Sequence, residues 1–237
     1  MSYLTDIMKK RTNIQFFKEE APDKKVIDDI LREAHDLIPH KNNFWHYKIR
    51  VYGPEHKEEK RRLAISSLGG IKKDEYRVAT EEQKIKELAE IYDEWCERGK
   101  IYKFKGSDYN FNTQLTAPYL LVYTHQERFL TKHQEESVFY KAGRTDQIFN
   151  RSAKKKGTDW KIQAGMHGIS TAYMCAEKDL YASFCKCYFY NKFLPNDMKR
   201  EHEKTAFMLG IGYKDDDRTH YPSPNLKALY EEIVEWK

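Results

Sequence analysis

Pro118-Tyr-Leu-Leu-Val-Tyr123 is a short, continuously apolar run in a chain of 237 residues, 33% of them charged. A strand with no polar face must be covered on both sides, so the run predicts a buried central strand. A second segment constrains the fold almost as strongly. Residues 161–179 are the least charged helix candidate, and Ile162, Met166, Ile169, Ala172, Tyr173 and Ala176 can share a wide apolar face. A helix apolar over most of its circumference is predicted to be central and buried.

The other elements follow from periodicity and breakers. Tyr3, Leu4, Ile7 and Met8 form a short amphipathic stripe ending near Lys10. Pro22-Asp23 opens a second helix with apolar positions at Val26, Ile27, Ile30, Leu31, Ala34, Leu37 and Ile38, and Pro39 ends it. Tyr47–Tyr52 alternates as a strand does, and Gly53-Pro54 closes it. A charged stretch, 55–62, leads into Leu63, and Gly69-Gly70 breaks that segment. Residues 81–98 read as a surface helix, Tyr181–Tyr190 and Thr205–Tyr213 as strands, and Leu226–Trp236 as a final helix. With no internal repeat, low-complexity segment or linker, the expectation is one α+β domain over residues 1–237.

Composition excludes several classes. Aromatic residues number 17 Tyr, 12 Phe and 4 Trp, too many for a disordered chain. The long uncharged stretch Asn110 to Gln126, with Tyr109 before it, carries Asn, Thr and Gln and is no membrane span. MSYLTDIMKKR has no apolar signal region, so a cytoplasmic protein is expected. Cys96, Cys175, Cys185 and Cys187 do not space as a disulfide framework, and free thiols are expected. The net charge of +5 is a mild surplus. Arg151-Ser-Ala-Lys-Lys-Lys156 reads as a solvated loop, because no aromatic platform accompanies it to argue for nucleic acid. Cys175, Cys185, Cys187 and His167 lack the usual spacing of zinc ligands, so no metal site is assigned. Asp215-Asp-Asp217 reads as a hydrated turn.

Two polar segments stand out. Arg11-Thr-Asn-Ile-Gln-Phe-Phe17 follows the first helix. The Arg11 guanidinium can fork onto a phosphate, or it can be a surface cation favoured by the helix dipole. Asn13 offers a short polar side chain, while Ile14 and Phe17 are expected to face the core. The second segment begins at Pro39, where His40 and the pair Asn42-Asn43 form a polar helix–strand turn or a ligand-facing loop. Trp45 and Tyr47 are expected in core or dimer packing.

These segments resemble the FMN-dependent nitroreductase family. Arg11–Phe17 is similar to the family's Arg-Arg-Ser-Ile-Arg-x-Phe. Pro39-His-Lys-Asn-Asn-Phe-Trp-His-Tyr-Lys-Ile-Arg-Val-Tyr-Gly-Pro54 resembles one branch's Pro-Ser-Lys-Gln-Asn-x-x-Pro-Tyr-Lys-Ile-x-Val-x-Gly-Pro. Ala117-Pro118 before a buried strand, the apolar helix from Gln163, and Phe207-Met-Leu-Gly-Ile-Gly-Tyr213 match the family's C-terminal half. Order and spacing agree over most of the chain, with an atypical insertion at about 125–160.

The resemblance implies an α/β sandwich with a mostly antiparallel sheet flanked by helices, assembled as a homodimer with FMN at the interface. It implies an NAD(P)H donor and a small-molecule acceptor such as a nitroaromatic or quinone. The flavin carries the chemistry, so no side-chain nucleophile is expected. The implied cofactor-binding residues are Arg11, Thr12, Asn13, Gln15, Pro39, His40, Lys41, Asn43, Asn110, Lys186, Arg218 and Lys227. Some depart from the family pattern. Thr12 stands for a second Arg, Gln15 for a cation near the flavin N1–C2=O edge, His40 for a small hydroxyl, and Lys186-Cys187 roughly for the family's Gly or Glu-Gly, where a backbone N–H meets flavin N5. Loss of the cation at 15 should lower the flavin's reduction potential. The same substitutions motivate another reading, a protein of this fold that binds a different anion or a partner without flavin chemistry. Residues 100–115 and 125–160 are expected to form acceptor-pocket loops.

Overall fold

The computed structural model describes residues 2–14, 16–38, 47–63, 83, 86, 90, 102–104, 107–109, 117–125, 159–185, 204–217 and 233–235. Helix α1 spans Tyr3–Lys10. The Ser2 side chain caps it by accepting the Thr5 N–H at 3.3 Å, and Lys9 and Lys10 sit in its last turn, where the dipole favours cations. Helix α2 spans Lys24–Leu37, capped by Asp23, whose carboxylate accepts the Lys25 N–H at 2.7 Å. It buries Ile27, Ile30 and Ala34 as its periodicity predicts, but Leu37 is exposed. Ile38, extended at the cap, is buried in its place. A short helical segment occupies 57–63. Gln83, Lys86 and Glu90 are helical and exposed, in line with the expected surface helix, whose other residues lie outside those described.

Strands β1 (Tyr47–Tyr52), β4 (Tyr119–His125), β5 (Tyr181–Cys185) and β6 (Lys204–Gly212) form one antiparallel sheet in the order β1-β4-β6-β5. The apolar run is the inner strand β4, and Leu120, Leu121, Val122 and Tyr123 are fully buried. Between β4 and β6 the register steps from Tyr123↔Phe207 to Thr124↔Thr205, which leaves Ala206 as a bulge. Strands β2 (Tyr102–Phe104) and β3 (Ser107–Tyr109) pair as a separate antiparallel hairpin. That corrects the expectation of loop throughout 100–115.

Helix α3 (Asp159–Glu177) packs with α2 on one face of the sheet. Ile27, Ile30, Tyr119, Leu121, Tyr123, Trp160, Ala164, Cys175, Leu209 and Ile211 belong to this core. The face of α3 that turns inward includes Ala172 and Ala176, as expected, but departs from the expected one in the first turns of the helix. Ile162 is 61% exposed and Met166 37%, while Ala164, His167, Gly168 and Thr171 are buried. The sheet presents the bulky rings of Tyr47, Tyr123 and Phe207 to this core, so the helix must approach with small residues. At Gly168 an added Cβ would fall 2.7 Å from the Phe207 ring. The strand expected over Tyr181–Tyr190 is present as far as Cys185; 186–190 lie outside the described residues. Cys175 is a free, buried thiol, but Cys185 is disulfide-bonded to a residue outside those described. This departs from the expectation of free thiols, since linear spacing does not reveal what folding brings together.

Candidate functional site

The segment after α1 is held at both ends. Arg11 is the C-cap of α1, and its N–H still donates to the Ile7 carbonyl at 3.1 Å. Two residues on, the Asn13 Oδ1 accepts the Phe184 N–H from β5 at 3.2 Å. The buried Ser183 hydroxyl accepts the Ile14 N–H at 2.8 Å and donates to the Ile14 carbonyl at 2.5 Å. Further along, the Lys18 N–H donates to the Tyr213 carbonyl at 2.9 Å, and the Asp215 N–H donates to the Phe16 carbonyl at 3.2 Å. Ile14 and Phe17 are buried with Ala117, against Tyr181, as expected.

This geometry joins three of the sequence motifs. Phe17 and Pro118 close over Gly212, where a Cβ would lie 2.7 Å from Pro118 Cδ and 3.1 Å from Phe17 Cδ1. Glycine is required there by close approach. Lys60 fixes the entry to β4 from another side. It is 8% exposed and donates to the Ala117 carbonyl at 3.3 Å and the Pro118 carbonyl at 3.0 Å. Burial lowers its pKa to about 8.

The donors left over point to an anion. Among the described residues, no side chain hydrogen-bonds or ion-pairs with the Arg11 guanidinium, and none accepts from the Asn13 amide nitrogen. Thr12 directs its hydroxyl to the Asn13 carbonyl at a long 3.5 Å. Arg11 and Asn13 therefore carry uncommitted N–H groups on one anchored segment, a donor set that fits a phosphate monoester. Gln15, Pro39, His40, Lys41, Asn43, Asn110, Lys186, Arg218 and Lys227 lie outside the described residues.

His167, weighed above for zinc, serves a different cluster. The Tyr123 hydroxyl lies 3.0 Å from its Nδ1 and the Thr171 hydroxyl 3.1 Å from the same nitrogen. Tyr47 and Tyr123 stack at 6.3 Å, and burial drives both phenols well above their ordinary pKa. Ser183 and Tyr123 gave no signal in sequence, because a serine or tyrosine in a strand is ordinary until its partner is known.

No family model matches the chain, and no curated protein matches it. Solved structures do. A nitroreductase-like protein from Streptococcus mutans has a TM-score of 0.62 at 14% identity, covering 98% of this chain and 97% of that one. A nitroreductase-like family protein from Bacillus cereus has a TM-score of 0.60 at 14% identity, covering 100% and 97%. The chain has the nitroreductase fold. Another structure with the nitroreductase fold, the FMN- and NADPH-dependent nitroreductase of Sphigopyxis sp., has a TM-score of 0.58 at 14% identity, covering 100% and 99%. The matches to these nitroreductase-fold structures span 98–100% of this chain, although sequence identity is low.

Proposed function

We infer that this protein is an FMN-dependent NAD(P)H oxidoreductase that acts as a homodimer. One observation carries the reading: uncommitted donors at Arg11 and Asn13, anchored to β5, on a nitroreductase fold that FMN-dependent structures share. The Arg11 guanidinium binds the FMN phosphate, and the Asn13 amide donates to phosphate or ribityl oxygens. By resemblance, His40, Lys41, Asn43 and Lys186 line the ring, with Arg218 or Lys227 completing the phosphate contacts. When bound, FMN supplies two-electron transfer between a nicotinamide donor and an acceptor such as a nitroaromatic or quinone.

The dimer is supported by an exposed apolar face. Tyr3, Leu4 and Met8 on α1 are exposed, as are Ile162 and Met166 on α3, which α1 packs against. Open space surrounds the position of a Cβ at Gly165, so another element can approach closely there.

The absorption spectrum tests this reading directly. Purified protein is expected to be yellow with flavin bands, and added FMN is expected to raise its melting temperature. A colourless protein that FMN does not stabilise refutes it. Arg11→Ala should weaken FMN about 10- to 150-fold, from the 1.5–3 kcal/mol of a charged hydrogen bond, and leave the fold intact.

A further inference from the structure

The geometry points to Ser183 as a positioning residue for the anion-holding segment, a proposal that rests on the flavin reading above. Ser183 is fully buried on β5, and its one hydroxyl satisfies both backbone groups of Ile14. A strand would normally meet those groups with a neighbouring backbone. Here a side chain does so, which fixes the register of residues 11–14 without making them part of the sheet. The next residue, Phe184, gives its N–H to Asn13 Oδ1. Together the two contacts decide which way the Asn13 amide is oriented. With Oδ1 turned to the Phe184 N–H, the N–H2 end of the amide is directed away from β5 and carries two donors for a ligand.

The consequence is chemical selectivity. A segment that offers a guanidinium and an amide N–H2, with the Asn13 carbonyl oxygen held toward β5, recognises oxygen acceptors. It favours the phosphate ester of a flavin over the uncharged alcohol. Loss of the Ser183 hydroxyl orphans two buried backbone groups, and residues 11–14 are then free to leave that register.

The test compares FMN with riboflavin, which lacks the phosphate, in titrations followed by flavin fluorescence. Wild type should prefer FMN. Ser183→Ala should lose roughly tenfold of that preference, the equivalent of 1.4 kcal/mol, by weakening FMN while leaving riboflavin unchanged. Ser183→Thr, which keeps the hydroxyl, should restore the preference. If Ser183→Ala lowers the melting temperature but keeps the wild-type ratio, Ser183 is merely structural and the proposal is overturned. Should the alanine variant fail to fold, amide exchange at Ile14 in the wild type decides. FMN should slow it more than riboflavin does, and equal slowing overturns the proposal. Wild type that binds both flavins equally overturns it alone. Wild type that binds neither refutes the flavin reading and the proposal together.

Discussion

Asp179 has a positive φ of 55° just beyond α3, where the chain caps the helix through the Leu180 N–H to the Cys175 carbonyl at 2.8 Å. Glycine is the usual residue in that conformation, and a side chain there costs about 1–2 kcal/mol, somewhat less for aspartate. The carboxylate compensates with an ion pair to Lys10 at 3.1 Å, but both partners are exposed, so the pair contributes roughly 0–1 kcal/mol. Asp179→Gly should therefore leave stability unchanged or raise it by up to about 1 kcal/mol in thermal unfolding. Lys60 behaves differently because it is buried. Its pKa of about 8 lies below the ordinary 10.5, so above pH 8 the unfolded chain holds a proton the folded chain has released. Stability from this residue rises with pH in that window. Burial pushes the Cys175 thiol up to about 12 from 9.0, which has the opposite sign and removes stability above pH 9. The melting temperature should thus climb between pH 8 and 9 in wild type and climb less in Lys60→Met. The same variant should lose about 1–3 kcal/mol at neutral pH, because the carbonyls at 117 and 118 lose their donor.

Among the elements, those with their own local signals were legible in sequence. The capped helices α1 and α2, the alternating β1 and the uninterrupted apolar β4 all lie within a residue or two of the expected bounds. The inward face of α3 was not legible, because it depends on what the sheet presents. Apolar periodicity favours Ile162 and Met166, whereas the rings of Tyr123 and Phe207 select Ala164 and Gly168. The β2–β3 hairpin was missed for a related reason: its short polar and aromatic strands carry little apolar alternation. The anchored segment was legible only in part. Arg11 and Asn13 stand out as polar residues after a helix, but the Ser183 that holds the adjacent Ile14 is 169 positions from it. Gly212 shows how closely these parts are packed. Gly212→Ala places a methyl group against Pro118 and Phe17, and should cost about 1–3 kcal/mol. Because Phe17 belongs to the segment of Arg11, the same variant should bind FMN more weakly than its melting temperature alone suggests; unchanged affinity would count against the shared packing.

At the scale of the whole molecule, the fold was legible from three separated motifs, two of which, Arg11–Phe17 and the C-terminal half, meet around Gly212. The apolar residues exposed on α3 read in sequence as core, and the homodimer was an expectation of the resemblance alone. Sedimentation should show a dimer, and Ile162→Asp with Met166→Asp should shift it to monomers that still fold, since neither side chain is buried. The anchoring of residues 13–18 to β5 and to the end of β6 also has a consequence for how the chain is made. Residues 11–18 are synthesised well before their partners at 183–184 and 213–215. Contacts over such a sequence separation close late and slowly. The proposed ligand-holding segment must therefore wait for β5 and the end of β6 to emerge. A nascent chain halted before β5 would have α1 and α2 but no partner for Asn13 or Ile14, so ligand capture would have to follow the synthesis of β5.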